Sequence, residues 1–553
     1  MSNTILTLIS RRRLEESYAN GYWRDDTIAS LVWQHATAAP DRIAVRDRSG
    51  TLSYRQLADR AQALCAELAR AGLKQGDRIA VWLSSRIETA IALVACSRSG
   101  FVCCPSLHRD HTTADIIELM NRMRAAAFIG EQGYGADASR HDIFGRLGEV
   151  PTLKHHYRLD KSSNGESLSP SQTSADAAGP VNTDPNHVVY LAFTSGTTGK
   201  PKGVMHSDNT LLANARAMIG DWRFDAQSVI YTMSPLSHNL GLGSLIMALA
   251  AGAELVVHDL PRGASTLDRI IEVGATFIVG VPTHAMDLLG EMKARNMSAP
   301  GAVKGFRISG ASAPRDVIAE LLACGVSPQS GYGMTEAGSH HYTHIGDDAD
   351  RVVNTSGRAC KGYEVKIFSQ DNPNVELPVG ETGQIGGRGA SLMLGYFDDQ
   401  GANDASFNAE GWFMTGDLGR LDERGYLQIT GRKKDLIIRG GHNIYPAHIE
   451  NLAMQHPAVA RAAALPVPDR RLGEKVCLAM MLRPGFSVTP DEVLIHLDRS
   501  GLSRYDMPEY VLMLDHIPLT ASGKILKRDI ATQIVDGSII PSPIRFVPRE
   551  STT

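Results

Sequence analysis

Apolar residues recur along the first part of the chain with two alternating periods, one typical of helices and one typical of buried strands. Residues 55–71 carry apolar side chains at helical spacing, and Gly72 follows where it can end the helix. Residues 78–83 and 100–104 form short apolar runs that predict strands, and residues 88–98 predict a helix between them. Strand–helix–strand repetition of this length predicts a parallel sheet with helices on its faces.

The same alternation returns after residue 187, where the run 187–193 has the length of a buried strand. Further strands are predicted at 229–233, 254–258 and 275–279, with helices beginning at Thr210, Leu242 and Ser265. From about residue 365 the pattern changes to short β-like segments and turns, and a smaller α+β unit follows. The predicted fold class is α/β: a large N-terminal body (1–433) of doubly wound parallel-type sheets with a β-rich subdomain, and a small C-terminal domain (434–553).

Composition and charge narrow the class of protein. The 553 residues are 43% hydrophobic with a net charge of −4, so globular domains are expected and nucleic acid is not an expected partner. The seven cysteines include no Cys-x-x-Cys pair, which favours reduced thiols over a disulfide framework or a zinc site. The uncharged apolar run 239–253 is shorter than the ~20 apolar residues that span a bilayer. The arginines at 11–13 follow the apolar start, whereas a signal peptide has the opposite order, so a cytoplasmic location is expected.

Residues 161–185 differ from the regular pattern around them. They contain six serines, three prolines and no aromatic residue, which predicts a surface excursion.

A turn rich in glycine and hydroxyl residues follows the predicted strand 187–193. It reads Thr-Ser-Gly-Thr-Thr-Gly-Lys-Pro-Lys-Gly from Thr194 to Gly203. Successive N–H groups in such a turn can form an anion-binding concavity, and the lysines add positive charge for phosphate oxygens. The spacing is not that of a Walker A loop. By itself the turn could also be an ordinary solvated loop.

Other loops fall where strands of an open α/β sheet end, which is where such sheets bind ligands. Within 329–336, Tyr332 can stack on a base, and Glu336 closes a glycine-rich turn where a Mg²⁺ ligand is plausible. Asp417 ends the segment Phe-Met-Thr-Gly-Asp and is suited to accept hydrogen bonds from ribose hydroxyls. Lys524 lies on a loop of the small domain.

Five segments occur in an order that resembles the adenylate-forming superfamily, which includes acyl- and aryl-CoA synthetases, adenylation domains of peptide synthetases and firefly luciferase. They are the turn at Thr194, Tyr-Gly-Met-Thr-Glu, Thr-Gly-Asp, Gly-Arg-Lys-Lys-Asp and Ser-Gly-Lys. The resemblance extends over residues 23–528, nearly the whole chain. It implies a ligase that uses ATP, Mg²⁺ and coenzyme A to make an acyl-adenylate and then a thioester.

The resemblance also implies roles for particular residues. Thr335 would contact the α-phosphate, Glu336 would hold Mg²⁺, and Lys524 would bridge the attacking carboxylate and the α-phosphate. Gly333 would line both the nucleotide and the acid sites. The remaining nucleotide contacts would come from Thr194, Ser195, Gly196, Thr197, Thr198, Gly199 and Lys202 for the phosphates, Gly310, Ala311, Ser312 and Tyr332 for the adenine and acyl region, and Asp417 and Arg432 for the ribose.

In this superfamily the small domain swings after the first half-reaction, which implies that it is mobile here. Lys434 matches the hinge position, and Gly440 and Gly441 would let the backbone pass close to the pantetheine arm of the thiol. The swing would let one pocket serve two anionic co-substrates in turn.

The residue pair His238-Asn239 bears on the identity of the acid. His238 matches the position that gates the carboxylate end of the pocket, and His-Asn resembles 2,3-dihydroxybenzoate–AMP ligases. The head of the chain also resembles cyclohexanecarboxylate-CoA ligases. A buried Asn facing an apolar acid would lack a partner, at a cost of about 1–3 kcal/mol, so a ring-containing or hydroxylated acid is favoured over a plain fatty acid.

Several alternatives stay open from the sequence. The chain could be a stand-alone aryl-acid adenylating enzyme that loads a carrier protein, or a medium- or long-chain fatty acid–CoA ligase. Asn239 could only brace its own loop. A nucleotide-binding regulator that has lost its chemistry is disfavoured, because Lys524, Glu336 and Asp417 are all present. The chain could be a monomer or a homodimer.

Overall fold

The computed structural model shows a large N-terminal body of mixed α/β architecture followed by a separate C-terminal domain. It describes residues 5–160, 168, 179–194, 201–261, 263–310, 313–440, 442–519 and 525–546. Most of the predicted surface excursion at 161–185 therefore lies outside the described residues. None of the helices in the described part of the chain has the length and apolar composition that a bilayer crossing requires.

Strands and helices alternate along the body as the hydrophobic pattern predicted. The strands are β1 (Ile43–Arg46), β2 (Thr51–Ser53), β3 (Arg78–Trp82), β4 (Val102–Cys104), β5 (Ala125–Glu131), β6 (His155–Leu159), β7 (Val188–Thr194), β8 (Lys202–Ser207), β9 (Val229–Thr232), β10 (Glu254–Val257), β11 (Phe277–Gly280), β12 (Gly305–Ser309), β13 (Ser327–Met334), β14 (Gly338–Tyr342), β15 (Arg358–Ala359), β16 (Tyr363–Phe368), β17 (Gly383–Gly389), β18 (Phe413–Leu421) and β19 (Leu427–Arg432). The helices are α1 (Arg11–Ala19), α2 (Ile28–Ala38), α3 (Tyr54–Arg70), α4 (Ile87–Ser99), α5 (Thr113–Met123), α6 (Asp208–Trp222), α7 (Asn239–Ala251), α8 (Thr266–Glu272), α9 (Pro282–Ala294), α10 (Arg315–Ala323), α11 (Ala349–Asn354) and α12 (Gln400–Ser406).

Two mainly parallel sheets form the core of the body. One has the strand order β6-β5-β3-β4-β7-β8, and the other has the order β15-β14-β13-β12-β11-β9-β10-β1-β2. The early strand β1 thus joins the second sheet, in parallel with the much later β10. Helix α4 is buried along its whole length, packed against α2 and α3 and against β4 of one sheet and β1 of the other. The α/β class predicted from the sequence is confirmed.

Helix starts follow local capping more closely than the apolar pattern. Helix α6 begins at Asp208, two residues before the predicted Thr210, because the Ser207 hydroxyl accepts a hydrogen bond from the Thr210 N–H. Helix α7 begins at Asn239 instead of Leu242, because the His238 ring accepts from the Leu240 N–H. Polar capping residues can therefore extend a helix beyond its first apolar position.

Strands β16, β17, β18 and β19 form the β-rich subdomain as an antiparallel sheet. A 3₁₀ turn, Lys433–Asp435, then leads into the C-terminal domain. Its elements are β20 (Ile437–Arg439), β21 (His442–Ile444), α13 (Pro446–Ala453), β22 (Val459–Asp469), β23 (Gly473–Leu482), α14 (Pro490–Arg499), β24 (Tyr510–Met513), α15 (Lys527–Val535) and β25 (Ser542–Pro543). Strand β23 lies at the centre of their sheet, beside β20, β22 and β24.

Candidate active site

The glycine- and hydroxyl-rich turn connects two antiparallel strands. Strand β7 ends at Thr194, which pairs with Lys202 at the start of β8. The Nζ atom of Lys202 lies 4.7 Å from the centre of the Tyr396 ring, so its charge is held at the base of the turn. The predicted phosphate-contacting residues between these two ends, Ser195, Gly196, Thr197, Thr198 and Gly199, lie outside the described residues.

The Glu336 carboxylate is held beside the same lysine and tyrosine. The Tyr396 hydroxyl donates a hydrogen bond to Glu336 Oε1 at 2.9 Å, and the Met393 N–H donates to the Glu336 carbonyl at 2.6 Å. Partial burial raises the pKa of Glu336, while the Tyr396 hydrogen bond and the Lys202 charge act in the opposite direction. A desolvated carboxylate of this kind gains from a nearby cation.

A buried histidine that the sequence reasoning missed fixes Thr335. The Nε2 atom of His206 lies 2.7 Å from the Thr335 carbonyl oxygen, so this nitrogen carries the proton and donates. The other ring nitrogen lies 3.0 Å from the Thr210 hydroxyl. Burial lowers the pKa of His206 to about 4, so the ring is neutral at physiological pH. The sequence does contain a signal for this histidine. It lies inside an apolar strand, and a threonine follows four residues later on the next helix.

Gly333 lies where two strands come too close for a side chain. A Cβ atom added there would lie 2.2 Å from the Gly338 carbonyl oxygen, across the β13–β14 hairpin. The register of this pair shifts between Tyr332 and Met334, which marks an irregularity at the same place. The tight hairpin therefore presents Thr335 and Glu336 at the end of the sheet.

Three predicted nucleotide contacts meet at the end of β13. The Tyr332 hydroxyl donates to Asp417 Oδ2 at 2.6 Å, and Arg432 Nε lies 3.2 Å from Asp417 Oδ1. Burial, and next the Asp417 charge, raise the pKa of Tyr332, so the phenol keeps its proton and stays a donor. The cross-strand pairing of Asp417 with Arg432 positions the ion pair.

The loop after β12 is described only in part. Gly310 follows the strand with φ at +91°, a backbone conformation that favours glycine. Just before it, the Ser309 hydroxyl donates to the Gly331 carbonyl at 3.2 Å and joins this loop to β13. Ala311 and Ser312, predicted to line the adenine and acyl region, lie outside the described residues.

The predicted acid-side residues begin helix α7. The amide nitrogen of Asn239 donates to the Met334 carbonyl at 3.3 Å, which brings the His238-Asn239 pair against the turn that carries Thr335. Asn239 also lines a cavity of about 30 Å³ between α6, α7 and β14. Its remaining lining is small or polar apart from two aliphatic side chains: His206, Thr210, Leu211, Asn214, Ala215, Gly243, Ile246, Gly338, Ser339 and Ser391.

A second histidine that the sequence reasoning missed lies beside the gate position. The His108 and His238 ring centres are 6.3 Å apart, and His108 Nδ1 lies 3.1 Å from the Ser237 hydroxyl. Burial, and next the neighbouring His111, lower the pKa of His108 to about 4. The uncharged ring of His108, in the loop after β4, thus supports the loop that carries His238.

Two residues predicted to function in the C-terminal domain, Lys434 and Gly440, lie on exposed turns. Lys434 is in the 3₁₀ turn between the two parts, and Gly440 has φ at +59° in the turn between β20 and β21. Arg439, next to that glycine, is paired with Glu509 at 2.5 Å. Gly441 and Lys524 lie outside the described residues.

The described residues suit a magnesium ion that is shared with a nucleotide. Among them no group of three or more His, Cys, Asp or Glu side chains could hold a metal ion alone. Mg²⁺ is typically bound by one or two carboxylates together with substrate phosphates, and is rarely held in an all-protein cage. Glu336, partly buried beside the phosphate-turn lysine, is a carboxylate of that kind.

Known proteins are similar to this chain in sequence and in fold. Two family descriptions match the chain, "AMP-binding enzyme" over residues 32–397 and "AMP-binding enzyme C-terminal domain" over residues 448–524. The medium-chain fatty-acid–CoA ligase of Escherichia coli is 32% identical over 96% of this chain and 96% of its own. The salicyl-AMP ligase / salicyl-S-ArCP synthetase of Mycobacterium tuberculosis is 30% identical over 93% and 92%, respectively. ATP-bound MatB from Rhodopseudomonas palustris has a TM-score of 0.79 at 26% identity, over 92% of this chain and 99% of that one.

Proposed function

Because the chain belongs to the family of AMP-binding enzymes and is an AMP-forming acid–thiol ligase, we propose that its acid is compact and ring-containing or hydroxylated. Ligases of this family use ATP with Mg²⁺, and coenzyme A accepts the acyl group. The proposal concerns the acid, the residues that act on it, and the movement between the two half-reactions.

The residues at the sheet ends suit the adenylation step. A carboxylate is a weak nucleophile and the α-phosphate is surrounded by negative charge, so positioning and neutralisation carry the catalysis. Thr335 would contact the α-phosphate, Lys202 the outer phosphates, and Asp417 the ribose. Glu336 would hold Mg²⁺, which when bound supplies charge neutralisation at the phosphates.

The hydrogen bonding of Asn239 is the observation that carries the choice of acid. The cavity of about 30 Å³ that Asn239 lines has room for only a few water molecules at ~10–15 Å³ each, so it suits a ring substituent such as a hydroxyl and not the ring itself. Asn239 donates through its nitrogen to Met334, which leaves the amide oxygen to accept from a substrate hydroxyl.

A panel of acids tests this proposal in a pyrophosphate-release assay. Hydroxybenzoates and cycloalkane carboxylates should be used with higher kcat/KM than straight-chain acids. Asn239→Leu should lower kcat/KM for hydroxybenzoates about tenfold, the scale of one lost hydrogen bond to a buried polar group, and should change unsubstituted ring acids less. Asn354→Leu, at the exposed end of α11, is the matched control. Preference for medium straight-chain acids over every ring acid would refute the proposal.

A second candidate acceptor is a carrier protein. The His238-Asn239 pair and a relative named as a salicyl-S-ArCP synthetase favour it. Supplying acid, ATP and free coenzyme A, and then detecting acyl-CoA by mass, separates the two. Acylation of a phosphopantetheinylated carrier alone would assign the enzyme to carrier loading.

We further propose that the C-terminal domain turns about Lys434 between the half-reactions, with the domain boundary at 433/434. Lys524 would serve adenylation, and Gly440 and Gly441 would then pass close to the thiol arm. Polar contacts lie near this turn: the Lys433 ammonium donates to the Gln370 carbonyl oxygen, and the Gln370 side-chain amide donates to the Tyr445 hydroxyl at 3.0 Å. Such contacts can be exchanged at low cost.

A further inference from the structure

The first residues of the chain pack against the loop that supports Glu336. This N-terminal clamp, residues 8–24, ends before the region that the AMP-binding family description matches, which begins at residue 32. Its partner, the bracing loop, is residues 389–397 at the end of β17. The two segments meet across more than 360 residues of sequence.

Arg13 makes the central contact of the clamp. Its guanidinium donates to the carbonyls of Leu392 and Met393, the latter at 3.0 Å. Its charge lies 5.3 Å from the centre of the Trp23 ring. Burial lowers the pKa of Arg13 to about 10, so the guanidinium stays charged. A bidentate donor on neighbouring carbonyls fixes the orientation of that peptide segment.

Two further clamp residues bind the same loop. The indole N–H of Trp23, a side chain with 1% exposure, donates to the Ala390 carbonyl at 2.9 Å. The Leu8 N–H donates to the Leu394 carbonyl at 2.8 Å. Four carbonyls of the bracing loop are therefore satisfied from the N-terminal clamp.

The other side of the bracing loop holds the catalytic turn. Met393 N–H donates to the Glu336 carbonyl, and the Tyr396 hydroxyl donates to the Glu336 carboxylate. The Ser391 hydroxyl donates to the Ala337 carbonyl at 3.0 Å. The Leu392 carbonyl accepts from Arg13 and the Met393 N–H donates to the Glu336 carbonyl, so the single peptide unit between Leu392 and Met393 links the clamp to the backbone of Glu336.

We propose that the N-terminal clamp is part of the metal–nucleotide site, with Arg13 and Trp23 as positioning residues that hold Glu336 through the bracing loop. The inference rests on the proposed role of Glu336 as the Mg²⁺ ligand. Loss of the clamp should therefore weaken metal binding more than it weakens binding of the acid. Residues behind a metal ligand commonly have this effect.

Equilibrium Mn²⁺ binding tests the inference without turnover. The full-length protein is mixed with the α,β-methylene analogue of ATP, and free Mn²⁺ is measured by electron paramagnetic resonance. Arg13→Ala should weaken Mn²⁺ binding about tenfold, at the low end of the effect of losing an outer partner of a metal ligand. Trp23→Phe, which removes one N–H and keeps the ring, should weaken it by a smaller factor. Acid-dependent pyrophosphate release should show a matching rise in the Mg²⁺ requirement.

Arg11→Ala is the matched control on the same helix. The Arg11 side chain is 91% exposed and pairs with Glu15 one turn away, so its loss should leave Mn²⁺ binding unchanged. Glu336→Gln should weaken Mn²⁺ binding, and adding Arg13→Ala to it should weaken binding no further, because both act through one carboxylate.

Each result decides the inference. A folded Arg13→Ala protein with the Mn²⁺ affinity of Arg11→Ala overturns it. If Arg13→Ala does not fold, Arg13→Lys and Trp23→Phe carry the test, and unchanged affinity in both overturns it. If Glu336→Gln weakens Mn²⁺ binding while the clamp variants do not, the proposed role of the clamp is refuted and the proposed role of Glu336 stands. If Glu336→Gln also has no effect, both fail.

Discussion

The active-site residues of the N-terminal body and those of the C-terminal domain are held in opposite ways. The turn that carries Glu336 is held by hydrogen bonds from other elements: His206 and Met393 bind its backbone carbonyls, and Tyr396 binds the carboxylate. In the C-terminal domain, Lys434 and Gly440 lie on exposed turns. The difference agrees with the proposal that nucleotide binding is preorganised, whereas the later contacts are delivered by movement.

Removal of the Lys524 amine, which we propose serves adenylation, should have the largest effect on activity. Lys524→Ala should slow adenylation by at least about 10²-fold, the scale for one charge-stabilising contact in the transition state. Thioester formation from supplied acyl-adenylate should largely survive. Separate assays of pyrophosphate release and of acyl-CoA formation measure the two steps. Equal losses in both would show that the lysine is not delivered for one step only, and would end the contrast between the two regions.

Restricting the turn at Lys434 should affect the opposite half-reaction. Lys434→Pro fixes φ near −65°, a value compatible with the present 3₁₀ turn but not with a large rotation. Adenylation should then continue while acyl-CoA formation falls by about tenfold or more, by analogy with other closures that assemble a site. Lys434→Ala, which leaves φ free, is the control. Unchanged acyl-CoA formation would show that the rotation axis lies elsewhere.

In the N-terminal body, replacement of Asp417 should weaken the binding of ATP strongly and the binding of the acid little. Asp417→Ala should raise the KM for ATP about tenfold or more, because hydrogen bonds to a charged group contribute about 1.5–3 kcal/mol. The KM for the acid should change by less than the KM for ATP. Initial rates of pyrophosphate release measure both, and Glu364→Ala, an exposed acid on β16, provides the comparison. A larger effect on the acid would contradict the assignment.

The smallest effect on activity is expected from a buried carboxyl far from the nucleotide. Asp208 at the start of α6 accepts hydrogen bonds from the Ile28 N–H and the Ser97 hydroxyl through one oxygen. Burial raises the pKa of Asp208 to about 7. The folded protein therefore binds this proton more tightly than the unfolded chain does. The stability that the protonated group contributes is present below about pH 4 and is lost as pH rises towards 7.

Asp208→Asn removes this titration and keeps the accepting oxygen. The free energy of unfolding of the variant should gain on the wild type as pH rises from about 4 to 7, by up to a few kcal/mol in total. Urea unfolding at several pH values measures it, with Asp59→Asn on the exposed side of α3 as control. A constant difference across this range would show that Asp208 ionises normally.

The sequence was sufficient for the fold class and for the order of the site segments. Strands and helices with clear periods, such as β9 and α3, fell close to their predicted positions because burial imposes those periods directly. The convergence of Tyr332, Asp417 and Arg432 followed from motif order. Contacts between remote segments could not be predicted in this way, because Arg13 and Met393 carry no pattern that relates one to the other. His206 and His108 were missed for the same reason.

The pairing of β1 with the much later β10 has a consequence for how the chain is made. Arg46 in β1 forms its ion pair with Glu254, 208 residues later. At about 5–20 residues per second, a ribosome needs roughly 10–40 s to deliver that partner strand. During this interval the first sheet can assemble, while the edge of β1 that pairs with β10 stays without its partner. The nascent chain therefore exposes an unpaired strand edge for a time. Such an edge is a target for chaperones that act during translation.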